Sequence, residues 1–198
     1  MNIKQTLEAR LHPSPVIQLN DVEVDPASIR AILINEVVPA DPAQDFYGSI
    51  AEEYLSTVIP LFRQAGLSVS GIRDILDMGV YITNAVKIPK TTYAVEKESI
   101  DLSLPWLEAE LALFPNVQVI MLMGDVAKKM YNRIARKTTK KNVIPSGATY
   151  KLRAAPYYHG SIRVMPSYII TGGNLLIEKS KVRMIAEDLA VMAEIIRK

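Results

Sequence analysis

The sequence predicts an α/β fold: a three-layer α/β/α sandwich with a central, mostly parallel four-stranded sheet. Four compact apolar runs, at residues 30–34, 81–86, 117–123 and 162–165, have the length and composition of buried strands. Amphipathic segments separate these runs, and parallel neighbours need such crossover connections. Because parallel strands end at one edge of the sheet, the loops that follow the runs are predicted to line one cleft.

The segments between the strands are predicted to be helices. Residues 49–65 carry apolar side chains at spacings of three and four, and Gly66 suits the position just after a helix. Further helices are predicted at residues 71–78, 99–114, 126–136 and 175–198. A short helix at the start of the chain is predicted to end before Pro13. We interpret residues 1–198 as one domain, with residues 1–28 as an N-terminal arm.

The composition excludes several classes of site. The chain has no cysteine and only two histidines, His12 and His159, so disulfides, thiolate nucleophiles, iron–sulfur clusters and His-rich metal sites are not expected. No cofactor is predicted. No apolar run approaches the roughly 20 residues that span a bilayer, and the first residues lack a signal-peptide layout. We therefore expect a cytoplasmic protein without a membrane partner.

Positive charge is concentrated in one part of the chain. Residues 126–177 contain ten Lys and Arg residues and no Asp or Glu. Because the whole chain has a net charge of +2 and this segment contributes +10, the remainder carries −8. Such asymmetry favours a polyanion partner, with Lys128, Lys140 and Lys141 as candidate phosphate contacts. A solvated basic helix and loop is the alternative interpretation.

The predicted strand-end loops contain polar and aromatic side chains with two possible roles each. Glu36 and Asp41 can position or deprotonate a water, or can cap a helix. Phe46 can stack on a planar ring or cover the core. Asn84 can pair with a ring that presents an N–H beside a carbonyl, or can serve as a turn residue.

Two further residues at the predicted edge are candidate phosphate contacts. Lys87 follows the second apolar run, just before the proline that ends it. Ser167 follows the last run and can hold a phosphate or act as an N-cap. No Walker motif, dinucleotide fingerprint, nucleophile elbow or metal-ligand spacing is present.

In their order along the chain, these loops resemble the motifs of the uracil-DNA glycosylase superfamily, most nearly its bacterial and archaeal branches. Ile34-Asn35-Glu36 is similar to the first motif, and Asp45-Phe46-Tyr47-Gly48 resembles Pro-Phe-x-Gly. Thr83-Asn84-Ala85-Val86-Lys87 is similar to Thr-Asn-Val-Val-Lys, which is the closest match. Met123-Gly124-Asp125-Val126-Ala127 resembles Leu-Gly-x-x-Ala, and Met165-Pro166-Ser167 stands where the family has His-Pro-Ser. The resemblance covers most of the chain, from about Arg30 to the last helix.

The resemblance implies roles for several residues. Glu36 takes the position of the motif acid, Phe46 that of the aromatic ring that stacks on uracil, and Asn84 that of the amide that reads the pyrimidine edge. Met165 belongs to the same base-binding set by position. The implied partner is DNA, single- or double-stranded, or a nucleotide.

The sequence also departs from the family pattern. Asn35 replaces the opening glycine of the first motif, and its proline comes one place late, at Pro39. Ile88 stands where cluster-bearing relatives have cysteine. Met165 replaces the motif histidine, whose hydrogen bond to uracil O2 stabilises the charge that develops during cleavage. His159 is the one other histidine near this motif.

Two main hypotheses follow from the sequence. The first is a glycosylase that extrudes a base, holds it with Phe46 and Asn84, and hydrolyses the N-glycosidic bond with water placed by Glu36 or Asp41. The second is a catalytically impaired member that binds a nucleobase, nucleotide or nucleic acid, which the replacement by Met165 favours. A small-molecule glycosidase or phosphoribosyl enzyme ranks below both, because no ribose-phosphate fingerprint is present.

Overall fold

The computed structural model describes all residues, 1–198, and its centre is a five-stranded sheet. The strands are β1 (Ala31–Val37), β2 (Val80–Val86), β3 (Val119–Met123), β4 (Tyr157–His159) and β5 (Ile162–Ser167). Their spatial order is β2-β1-β3-β5-β4, and every pair is parallel except β4 with β5. The α/β class and the four parallel strands are thus confirmed.

The strand count was one too low. Tyr157, Tyr158 and His159 lie outside the four predicted strands, yet they form β4, which pairs antiparallel with the edge of β5. This strand has only three residues, all at least partly exposed, and therefore gives no apolar run in the sequence.

Seven helices cover the two faces of the sheet. They are α1 (Ile3–Arg10), α2 (Glu52–Gln64), α3 (Ile72–Asp77), α4 (Lys97–Leu111), α5 (Asp125–Thr139), α6 (Thr149–Leu152) and α7 (Lys179–Ile196). Helices α1, α4 and α5 contribute to one apolar core, and α2, α3 and α7 contribute to the core on the opposite face. The chain has no helix with the length and apolar character needed to cross a bilayer.

The strand order reverses direction at β1. After β1 the chain forms β2 on one side of it, then returns to form β3 on the other side. Ligands of open α/β sheets bind at such a switch point, outside the carboxyl ends of the strands. Here that point lies between the ends of β1 and β3, beside Glu36 and Gly124.

Candidate functional site

Glu36 lies in the last part of β1 and reaches the first turn of α5. Its Oε2 accepts a hydrogen bond of 2.6 Å from the backbone N–H of Val126. Gly124 makes this approach possible: its φ is +113°, and a Cβ there would lie 2.7 Å from the Glu36 carboxylate. Burial raises the pKa of Glu36, while the Val126 hydrogen bond acts in the opposite direction.

A cleft opens beside Glu36 at the switch point, and we call it the Glu36 cleft. Its volume is about 510 Å³. It is lined by Glu36, residues 124–126, residues 147–150, Tyr168, Ile169 and Lys181. Glu36 lies at the end of β1 and Lys181 in the first turn of α7, and the others follow β3 and β5 or belong to the segment around α6, so the cleft combines segments that are far apart in sequence.

A second cleft adjoins the first, and we call it the basic groove. It lies between α5 and the loop that follows it, with a volume of about 470 Å³. It is lined by Asp125, Lys128, Lys129, Asn132, Arg136, Asn142 and residues 144–147. Asp125 and Gly147 line both clefts, which are therefore neighbours at the amino end of α5.

Asn132 fixes the wall of the basic groove. Its Oδ1 accepts hydrogen bonds from the backbone N–H groups of Val143 (2.9 Å) and Ile144 (3.0 Å), and its Nδ2 donates to the Ile144 carbonyl at 2.9 Å. The Asn132 side chain on α5 therefore holds two successive residues of the following loop. The shape of the groove is fixed by hydrogen bonds within the protein.

The cations of α5 and its loop fall into two sets. Lys128, Arg133 and Lys137 pair with Asp125, Asp101 and Glu108, respectively. The other four, Lys129, Arg136, Lys140 and Lys141, have no carboxylate within ion-pair distance and are exposed. These four are the charges that a polyanion can neutralise. Among the predicted phosphate contacts, Lys140 and Lys141 belong to this set, whereas Lys128 is buried and also donates to Thr149.

Asn84 does not face an open pocket. It is 1% exposed, its Nδ2 donates to Asp45 Oδ1 at 2.9 Å, and its Oδ1 accepts from Asn35 Nδ2 at 3.2 Å. Asn35 is its direct neighbour across β1 and β2, and is itself held by Thr171 and the Ile170 N–H. The amide expected to read a base is therefore occupied at both ends by protein groups.

The other two predicted base-binding residues are also in the core. Phe46 is 0% exposed and packs against Tyr54, with ring centroids 5.1 Å apart. Met165 is buried in the core on the α2 and α7 face of the sheet. Phe46 and Asn84 do lie close together, because Asp45 bonds both the Phe46 N–H and the Asn84 amide. Neither lines the Glu36 cleft.

Two predicted phosphate contacts are buried in ionic or hydrogen-bonded networks. Lys87 is 2% exposed, and its Nζ lies 2.5 Å from Glu110 Oε2 and 2.9 Å from Thr83 Oγ1. Ser167 is fully buried and donates to Asp188 Oδ2 at 2.7 Å. The phosphate role predicted for these two residues disagrees with their placement, because neither side chain reaches the surface.

Asp41 and His159 lie outside the clefts. Asp41 is exposed, and its Oδ1 accepts from the Ala43 N–H at 3.0 Å, which caps a short 3₁₀ turn. His159 bonds the Tyr131 hydroxyl at 2.7 Å on the α5 face of the sheet. Since Met165 packs on the opposite face, His159 does not replace the missing motif histidine.

Three residues that matter to the site were not singled out from the sequence. Asp45 accepts a hydrogen bond from Asn84, and Asn35 donates one to Asn84. Tyr150 lines the Glu36 cleft. Asp45 and Asn35 stand within the motif segments, and their polar character was the available signal. Tyr150 had none, because the segment around α6 carries no motif.

The fold and the clefts define an α/β protein whose candidate ligand site lies at the carboxyl edge of a parallel sheet. The family model described as the uracil DNA glycosylase superfamily matches residues 29–172, which include every parallel strand. The chain belongs to the uracil-DNA glycosylase superfamily. No curated protein matches the chain.

Proposed function

We propose that this protein is a nucleic-acid-binding member of the superfamily that does not excise uracil. The observation that carries the proposal is the occupation of the Asn84 amide by Asp45 and Asn35. Asn84 is 1% exposed, and one of its N–H donors and its Oδ1 already bond protein groups, so a uracil ring can reach it only if the surrounding side chains move. Leaving one such group unsatisfied costs about 1–3 kcal/mol.

The chemistry at Met165 supports the same proposal. Excision leaves negative charge on the departing uracil, and a hydrogen bond to its O2 lowers the barrier. Loss of one such donor reduces rates by about 10²–10³-fold. A methionine thioether donates no hydrogen bond, and His159 lies on the other face of the sheet.

The basic groove supports the binding half of the proposal. Four cations without carboxylate partners surround or follow a groove that Asn132 holds in shape. Phosphate backbones bind such surfaces by displacing condensed counterions, so the affinity must fall as salt concentration rises.

Base excision with Glu36 as the acid or water-positioning group is the second candidate function. It is favoured by the position of Glu36 at the switch-point cleft, with a pKa that burial raises. A raised pKa suits a carboxyl that acts as an acid or base near neutral pH.

Single-turnover cleavage distinguishes the two functions. The substrates are labelled single- and double-stranded oligonucleotides that carry uracil, hypoxanthine or xanthine. In a separate assay, the affinity for each oligonucleotide is measured over a range of salt concentrations. We expect salt-sensitive binding without cleavage. Cleavage that disappears in the Glu36→Gln variant would establish the second candidate, and absence of binding at low salt would overturn the proposal.

A Met165→His variant provides a second test. It restores a donor at the motif position but leaves Asn84 bonded to Asp45 and Asn35, so we expect no gain of uracil cleavage. A gain in a variant that unfolds at the same urea concentration as the parent would contradict the role assigned to Asn84.

A further inference from the structure

Tyr150 presents an aromatic surface to solvent on the wall of the Glu36 cleft. Its side chain is 56% exposed, and the Lys151 Nζ lies 5.7 Å from its ring centroid. The preceding residue, Thr149, is buried and accepts a hydrogen bond of 2.9 Å from Lys128 Nζ. The backbone that carries Tyr150 is therefore fastened to α5.

The Glu36 cleft has room for a planar ring. Its volume of about 510 Å³ lies within the range of about 300–1,000 Å³ typical of ligand sites. Tyr168 and Ile169 also line it, and the Lys181 Nζ lies 5.9 Å from the Tyr168 ring centroid. Aromatic surfaces with cations beside them are the features that bind unpaired bases.

The cleft is continuous with a site for phosphates. Asp125 and Gly147 line both the Glu36 cleft and the basic groove, where Lys129 and Arg136 have no carboxylate partner. A strand that places one base in the cleft therefore has its neighbouring phosphates beside free cations.

We propose that the Glu36 cleft binds one unpaired base of a single strand, stacked on Tyr150, while Lys129 and Arg136 in the basic groove contact the flanking phosphates. The inference rests on the proposed function, since it names where the nucleic acid binds. It also assigns the base to a cleft different from the region around Asn84 and Phe46. Single strands are favoured because only an unpaired, unstacked base offers its face to Tyr150.

The test compares Tyr150→Ala with Tyr158→Ala. Tyr158 is a matched control, because it is 58% exposed and has the Arg163 guanidinium 5.8 Å from its ring centroid, yet lies on β4 outside both clefts. Binding of a fluorescein-labelled oligothymidylate is measured by anisotropy. Since one stacked base contributes about 1–3 kcal/mol, we expect a loss of about 5- to 150-fold for Tyr150→Ala and none for Tyr158→Ala.

A second comparison uses charge. Arg136→Ala removes one free cation of the groove, whereas Arg73→Ala removes an exposed arginine of α3. The logarithm of affinity is plotted against the logarithm of salt concentration for both. We expect the magnitude of this negative slope to fall by about 0.7 for Arg136→Ala and to stay unchanged for Arg73→Ala.

The outcomes separate this inference from the proposed function. If the unmodified protein shows salt-sensitive binding but Tyr150→Ala binds as tightly as Tyr158→Ala, the stacking site is wrong and the proposed function stands. If the unmodified protein binds no oligonucleotide at low salt, both fail. If a fully paired duplex binds more tightly than oligothymidylate, the assignment to an unpaired base is overturned.

Discussion

At the scale of single residues, Asn84 and its partners form the network that distinguishes this site. Asn84→Ala removes the hydrogen bond that Asn84 donates to Asp45 and the one it accepts from Asn35, and it leaves the fully buried Asn35 amide without this partner. We expect the free energy of unfolding to fall by about 1–3 kcal/mol, measured by urea denaturation. Affinity for oligonucleotides should not change, because Asn84 lines neither the Glu36 cleft nor the basic groove.

The matched control for this prediction is Asn116→Ala. Asn116 is an exposed asparagine that donates one hydrogen bond to the Ala27 carbonyl. Its loss should affect stability by less than the loss of Asn84. If Asn84→Ala had the same free energy of unfolding as the parent but bound oligonucleotides weakly, the result would indicate that Asn84 contacts the base.

Asp45 should make stability depend on pH. Burial raises its pKa above the ordinary value of 3.8, although the Phe46 N–H and Asn84 favour the charged form. A carboxyl with a raised folded-state pKa stabilises the fold fully below its unfolded pKa, and this contribution is lost as the pH rises through the folded pKa. Asp45→Asn keeps an acceptor for Asn84 and cannot ionise.

Urea unfolding of the parent and Asp45→Asn between about pH 4 and about pH 7 measures this effect. We expect the parent to lose stability relative to the variant as the pH rises. Two parallel curves would mean that the Asp45 carboxyl titrates with the same pKa in the folded and unfolded chains.

The site residues were only partly predictable from sequence. The prediction that Glu36 lies at the carboxyl end of a strand agrees with its position in β1, because a buried apolar run ends just before it. The occupation of Asn84 follows from the register that sets Asn35 opposite it, and register depends on the whole sheet. Lys87 was predicted to contact a phosphate, since it follows an apolar run at the carboxyl edge of the sheet. Its partner Glu110 lies on α4, and a single sequence does not reveal that pairing.

At the scale of elements, the ion pair between Lys87 and Glu110 joins the end of β2 to α4. Both side chains are almost fully buried, and Glu110 also accepts from Tyr81 and Thr83. Lys87→Met leaves the Glu110 carboxylate without a compensating charge, so we expect a loss of about 3–5 kcal/mol in urea unfolding.

Lys137→Met is the control, because Lys137 pairs with Glu108 where both side chains are partly exposed to solvent. Exposed pairs contribute about 0–1 kcal/mol. Similar losses for the two variants would show that the Lys87 pair is hydrated and adds little.

The turn from β3 into α5 depends on Gly124. Gly124 and Gly172 both have positive φ, +113° and +132°, but an added Cβ meets Glu36 only at Gly124 and open space at Gly172. Backbone strain of about 1–3 kcal/mol is common to both alanine variants. We expect Gly124→Ala to lower the free energy of unfolding more than Gly172→Ala, because it also displaces Glu36. Equal losses would mean that Glu36 moves aside without cost.

The elements themselves were largely predictable. Each parallel strand contains an apolar run, and the amphipathic helices between the strands have a clear period. The missed strand, β4, is formed by Tyr157, Tyr158 and His159 because β5 offers an unpaired edge. A two-residue turn at Gly160 and Ser161, with a φ of +60° at Gly160, joins β4 to β5, and this Gly-Ser pair was the local hairpin signal.

At the scale of the whole molecule, the uneven charge should govern association with nucleic acid. Four cations of α5 and its loop lack carboxylate partners. If each contacts one phosphate of a single strand, a plot of log affinity against log salt has a slope of about −3. The double variant Lys140→Ala/Lys141→Ala should reduce its magnitude by about half.

The control is Arg183→Ala/Arg197→Ala, which removes two exposed cations at α7. It should leave the slope unchanged, because neither arginine lines the Glu36 cleft or the basic groove. A slope near zero for the unmodified protein, or equal effects of the two double variants, would contradict the assignment of the basic surface.

The position of β1 between two other strands has a consequence for biosynthesis. A ribosome makes β1 first, but one of its two neighbours, β3, emerges only after α2, α3, β2 and α4. Until then one edge of this apolar strand has no pairing partner. Pairings between distant segments form slowly and leave strands open to aggregation. We therefore expect the nascent chain to depend on chaperones until β3 has left the exit tunnel.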